Sequence, residues 1–175
     1  MLTHTFSQQD KLTGFVDFLP ASHAITAGKA KDIYEKNKHR IYSLAFWMTD
    51  NELEAEELSI NVFNRAFSIA NEPTEEMIDR ALVNELRESR PIGTLNLSCN
   101  EAKDIYKIRV HVKRVHLERA VIQLPATERL IFLLHDAMQR DHSSIAQLLG
   151  ISESESCHGL HQARLRVREL TAAML

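Results

Sequence analysis

The chain has 175 residues, 44% of them hydrophobic and 26% charged, and a formal net charge of −3. That length suits one large domain or two small ones, the composition excludes wholesale disorder, and the negative balance argues against bulk nucleic-acid binding. With only 5 glycines, 4 prolines and 6% aromatics, the sequence favours long helices over strands and turns.

No apolar run approaches the roughly 18 residues of a membrane span. Met1 to Phe18 lacks a basic stretch followed by an apolar core, so no signal peptide is expected there. Two cysteines, Cys99 and Cys157, make no disulfide framework, and a reducing cytoplasm is the expected location. The mean charge hides a split. Residues 29–90 hold 9 basic and 13 acidic groups, whereas residues 103–175 hold 11 basic and 8 acidic. Two modules with different partners are the expectation.

Residues 1–23 read as an N-terminal extension. A first helix follows from Ala24, with Tyr34, Ile41, Leu44, Ala45 and Met48 in an i, i+3/i+4 rhythm. Thr49-Asp50-Asn51 breaks it and supplies an N-cap cluster. The second helix places Leu58, Val62, Ala66 and Ile69 on one stripe, with Phe63 and Phe67 beside it. Its first turns carry Glu52, Glu54, Glu56 and Glu57, which suit a helix N-terminus electrostatically. Asn71-Glu72-Pro73 ends it, Thr74 caps a third helix, and Pro91 stops that one near Arg90.

Residues 91–102, poor in charge and containing one Pro and one Gly, read as a flexible linker between modules 24–90 and 103–175. The segment from Lys107 fits either a strand (IRVHV) or a helix, and its length favours a helix to Leu124. Pro125 opens another helix, with Leu130, Ile131, Leu133 and Leu134 facing the core. Ser143 or Ser144 is expected to cap a short helix, Ile145 to Leu149. Gly150 is placed for the left-handed conformation, and Ser152 with Glu155 forms a capping box that opens a helix to about Ala172.

Short helix, Gly150-Ile151-Ser152 and capped long helix make the grammar of a helix-turn-helix. Its second helix would present Ser152, Ser154, Glu155, Cys157, His158 and His161 to DNA, with Arg164 and Arg168 behind them for phosphates. Cys157, His158 and His161 also invite a zinc reading, but no second ligand pair exists at suitable spacing, so no metal is expected. His135-Asp136 has no nucleophile beside it, and neither an enzyme nor a cofactor is expected.

The stretch LERAVIQLPATERLIFLLHDAM…HSSIAQLLGISESES…LHQARLRVREL resembles the fourth conserved region of bacterial sigma factors, especially the extracytoplasmic-function (ECF) group. Leu124-Pro125, Glu128-Arg129, Phe132-Leu133-Leu134, Ile145-Ala146, Leu149 to Ser152, Leu160-His161 and Ala163-Arg164 carry that likeness. The stretch YEKNKHRIYSLAFWMTDNELEAEELSINVFNRAF resembles the second conserved region, through Ala55 to Leu58, Val62-Phe63 and Arg65 to Phe67.

The resemblance implies an all-α protein of two small helical domains that binds core RNA polymerase and promoter DNA and admits an anti-sigma partner. By the same resemblance Glu54, Glu56, Glu57, Asn61 and Arg65 would face polymerase. Ile60 and Asn61 stand where the family usually carries Gln then Glu, and Glu155 stands where a phosphate donor is common. Two other readings remain open. One is a sigma-like interaction protein that has lost promoter recognition; the other is a dimeric helix-turn-helix regulator.

Overall fold

The computed structural model describes residues 27–95 and 113–174. Among the described residues the fold is all-α, with seven α-helices and no strand.

Three helices form an N-terminal group: α1 (Ala27–Thr49), α2 (Glu52–Ile69) and α3 (Glu75–Ser89). The stripe anticipated on α1 is its core face, with Ile41, Leu44, Ala45 and Met48 all buried. Tyr34 meets Phe63 of α2 edge-on, with ring centroids 4.8 Å apart. Asn51 starts α2 by accepting hydrogen bonds from the backbone N–H groups of Leu53 (2.9 Å) and Glu54 (3.2 Å). Val62, Phe63, Ala66 and Phe67 are buried on α2, but Ile69, its last residue, is 65% exposed rather than part of the core stripe. Thr74 caps α3 through the Met77 N–H at 3.3 Å. Ile78, Ala81, Leu82 and Leu86 point inward, as their spacing requires.

The C-terminal group comprises α4 (Arg114–Ile122), α5 (Ala126–Phe132), α6 (His142–Leu149) and α7 (Glu153–Ala173). Leu133–Ala137 continues α5 as a π turn. The expected helix over Lys107–Leu124 is seen as Arg114–Ile122; positions 107–112, including IRVHV, lie outside the described residues. It stops before Leu124 because the Gln123 and Leu124 N–H groups close tighter bonds to Ala120 and Val121. The expected cap of α6 is also corrected. Asp141, not Ser143 or Ser144, is the N-cap, and its Oδ1 accepts from the Ser144 N–H at 2.7 Å. A carboxylate acceptor three residues ahead of that N–H starts the helix at His142. Gly150 takes φ +65°, and the Ser152–Glu155 capping box is formed.

The two groups pack directly on each other. Half-buried Arg129 of α5 donates to the last carbonyls of α1, Trp47 O (3.3 Å) and Met48 O (3.2 Å), and to Ile122 O and Leu124 O in its own group. In return, Arg87 of α3 donates to Leu149 O at the end of α6 at 2.6 Å. Neither α1 nor α6 has a basic residue in its last turn. Each therefore takes from the other group the cation that a helix C-terminus favours. Asp79, 2% exposed, accepts from Arg40 of α1 and from Arg140 beyond the π turn.

The start of the linker is held as well. Thr127 Oγ1 donates to Pro91 O at 3.1 Å and accepts from the Gly93 N–H at 3.0 Å. Over residues 91–95 the segment lies against Thr127, which is buried and has both its hydrogen-bonding roles filled there. Residues 96–102 lie outside the described residues.

Candidate nucleic-acid interface

Helix α7 has one solvent-facing stripe. Ser154, Cys157, His161, Arg164 and Arg168 are all exposed, at i, i+3/i+4 spacing. The opposite side packs through Ser156, Gly159, Leu160, Ala163 and Val167. Five of the eight residues singled out from the sequence therefore share this face, and Ser152 lies at its leading end.

The other two are engaged elsewhere. The Glu155 carboxylate accepts from the Ser152 N–H and Oγ, both at 2.8 Å, and these bonds hold its pKa below the usual glutamate value. His158 is half-buried; its Nε2 is shielded from solvent and has no hydrogen-bond partner. Its position beside Glu128 directs it toward the interior. Glu128 is 2% exposed, and burial pushes its carboxyl above the ordinary value despite Arg166 at 3.4 Å.

Arg164 reaches the stripe already paired. Its Nε and Nη2 donate to the two oxygens of Asp136, at 3.0 and 2.5 Å. That fork holds Asp136 below the usual carboxylate range, with His135 Nδ1 2.8 Å away as a further contact. Asp136 belongs to the π turn after α5, and sequence spacing gives no sign that it meets a residue 28 positions later. Arg168 carries no ion pair among the described residues. Behind the stripe, Ser156 is fully buried and is satisfied by His142 Nδ1 at 3.0 Å. The His142 ring stacks on His135 with centroids 4.6 Å apart.

Residues 114–167 match the family described as Sigma-70, region 4. The match runs from α4 through most of α7 and covers about a third of the chain. No curated protein matches it. The matched segment holds α6, the turn at Gly150 and α7 as far as Val167, and a region of that description implies DNA binding in transcription initiation. Among the described residues no cluster of three His, Cys, Asp or Glu groups is arranged to hold a metal. None of their helices is long and apolar enough to cross a membrane.

The acidic surface lies on the N-terminal group, outside the region 4 segment. Glu54, Glu57 and Asn61 of α2 line an open groove with Glu85 and Glu88 of α3 and with Arg90, which caps α3. Arg65 bridges Glu85 and Glu88, and its pKa is raised chiefly by its bond to Glu85. Arg90 reaches Glu54 at 3.3 Å. Glu56 is turned to the other side of α2, near Tyr42. Glu85 and Glu88 were not singled out from the sequence; only their i, i+3 spacing hinted at a shared face. Leu53 (77% exposed) and Ile60 (52%), seven residues apart on α2, add an apolar component next to these carboxylates.

Proposed function

We propose that the protein is a sigma factor of the ECF type, which brings core RNA polymerase to promoter DNA in the cytoplasm of a bacterial cell. Residues 103–175 would read duplex, residues 24–90 would dock on polymerase, and the linker 91–102 would join them. The observation that carries this reading is the region 4 match, which coincides with a helix-turn-helix exposing Ser154, Cys157, His161, Arg164 and Arg168 on one stripe. Exposed base-edge and phosphate partners on a second helix suit major-groove readout.

The polymerase surface is assigned to Glu54, Glu57 and Asn61, with Ile60 as an apolar contact in place of a polar one. The local excess of carboxylates suits a basic partner element. Arg65 would act there by bridging Glu85 and Glu88 rather than by touching polymerase, and Glu56 would sit at the margin. Because Glu155 and His158 are turned to structural duties, they are not proposed as base contacts.

A second reading has its own support. Glu153 and Glu155 sit in the first turn of α7, and Arg164 is neutralised by Asp136. A reading helix with so little free positive charge is also what a sigma-like interaction protein without promoter recognition would show. Co-purification with core RNA polymerase, followed by run-off transcription on genomic templates, separates the readings. The first expects both binding and promoter-specific transcripts, the second binding alone. A palindromic footprint made without polymerase would overturn both in favour of a dimeric regulator.

A further inference from the structure

The counter-ion of Arg164 sits in a cluster of titratable groups. Asp136 divides its two oxygens between Arg164, at 3.0 and 2.5 Å, and His135 Nδ1, at 2.8 Å. An ionised carboxylate only accepts hydrogen bonds, so the His135 nitrogen that faces it is an N–H, and Nε2 keeps the lone pair. The other face of the cluster is His142, whose ring stacks on His135 at 4.6 Å and whose Nδ1 meets the buried Ser156 hydroxyl at 3.0 Å. The two rings stand at opposite helix ends. His135 lies in the last turn of the segment that continues α5, whereas His142 is the first residue of α6. A helix C-terminus favours positive charge and an N-terminus disfavours it, so a single proton entering the stacked pair belongs on His135. Arg140 and Asp141 line the same hollow, and both are engaged: Arg140 by Asp79, Asp141 by the Ser144 N–H and hydroxyl. His161 stands one turn ahead of Arg164 on α7.

The Arg164–Asp136 pair is open to solvent, with side chains 48% and 27% exposed. Ion pairs of that kind are weak, and the same planar fork fits a phosphate. When a phosphate takes the guanidinium, Asp136 loses the partner that contributes most to its lowered pKa and retains His135. A carboxylate left without its arginine attracts a proton to the neighbouring imidazole, and departure of the guanidinium charge acts in the same direction. Histidine is the side chain whose ordinary titration falls between pH 5 and 8.

We propose that His135 is a positioning residue for duplex binding: as Arg164 passes from Asp136 to a DNA phosphate, His135 takes a proton from solvent at Nε2 and holds Asp136 in its place. Binding is thereby coupled to the uptake of one proton, and affinity rises as pH falls. The inference rests on the reading of α7 as the DNA face and adds to it a pH-sensitive control.

The test follows the anisotropy of a labelled mixed-sequence duplex titrated with the full chain at fixed low salt. Between about pH 8 and pH 6 the parent is expected to gain about tenfold in affinity. His161→Gln should keep that gain, because the imidazole of the stripe is not its source. His135→Gln and Asp136→Asn should each lose it from opposite sides, the first staying weak and the second staying tight, with helical circular dichroism unchanged. A merely structural role for His135 predicts weaker binding at every pH with the gain intact. That result overturns the proposal, as does a gain lost in His161→Gln alone. A second arm needs no DNA. Arg164→Gln removes the guanidinium as a phosphate would, so the His135 ring resonances should titrate at higher pH than in the parent. An unmoved midpoint overturns the proton uptake. Binding with a flat pH profile defeats the coupling and leaves the DNA face standing, whereas no binding by any variant at any pH defeats both.

Discussion

Arg164 shows how one side chain's partner changes what its position means. Its place on the exposed stripe of α7 suits a phosphate contact, yet its charge and two of its five N–H donors are already engaged by Asp136. Asp136→Asn should therefore strengthen duplex binding several-fold and steepen its salt dependence by about one unit of slope, as expected for one more available cation. Fluorescence anisotropy over a salt series reads both quantities, and an unchanged slope would remove Arg164 from the interface. The same pair has a pH signature. Because the folded pKa of Asp136 lies below its ordinary 3.8, its stabilising contribution is complete above that pH and is lost as pH falls through the lower folded value. Thermal midpoints of parent and Asp136→Asn should converge in strong acid and diverge as the carboxylate ionises.

Gly159 raises a different question at the same scale, since glycine in a helix interior costs about 1 kcal/mol relative to alanine. It is buried, and an added Cβ would come within 2.8 Å of Ile131 Cδ1 and 3.1 Å of Leu95 Cδ2. Overpacking typically costs about 1–3 kcal/mol, which outweighs the propensity gain. Gly159→Ala should lower stability by about 1 kcal/mol in chemical denaturation. A gain would mean that Ile131 moves aside without penalty.

Among elements, the helix-turn-helix was the most legible part of the sequence. Its two helices and their turn are specified by local signals: Gly150 for a left-handed residue, and Ser152 with Glu155 for a reciprocal cap. Such signals act within four residues and need no tertiary partner. Gly150→Val should cost about 1–2 kcal/mol or more, because a β-branched residue is strained at φ +65°. The loss should appear as a lower thermal midpoint and should weaken duplex binding with it. The cap of α6 was less legible, since Asp141, Ser143 and Ser144 all have capping chemistry and only the helix start decides between them. Five of the eight proposed reading residues share the exposed stripe because periodicity alone sets that face. The inward turn of His158 follows from packing against α5, which spacing does not encode.

At the scale of the whole molecule, arginines do most of the joining. Arg129 is the central one, serving carbonyls of Trp47, Met48, Ile122 and Leu124 from a site where burial lowers its pKa and no carboxylate among the described residues is in direct contact. A planar guanidinium can fork toward several acceptors, whereas an ammonium cannot reproduce that spread. Arg129→Lys should therefore destabilise the chain by about 3 kcal/mol, since hydrogen bonds to charged groups contribute roughly 1.5–3 kcal/mol each. A shift in urea midpoint at unchanged slope would report the loss. A negligible shift would mean that solvent takes over the four carbonyls.

What the sequence by itself determined is the local grammar: an all-α chain, the inward stripes of its helices, the capping box and the turn at Gly150. These depend on backbone hydrogen bonding and on periodicity, which operate over one or two helical turns. Only the tertiary structure decided how charge is spent. It paired Arg164 with Asp136, brought Glu85 and Glu88 beside Glu54 and Glu57, pinned residues 91–95 with Thr127, and closed the two groups through Asp79. Ion pairs between residues tens of positions apart leave no periodic trace. Their partners are chosen by which helix ends and buried groups packing brings within reach.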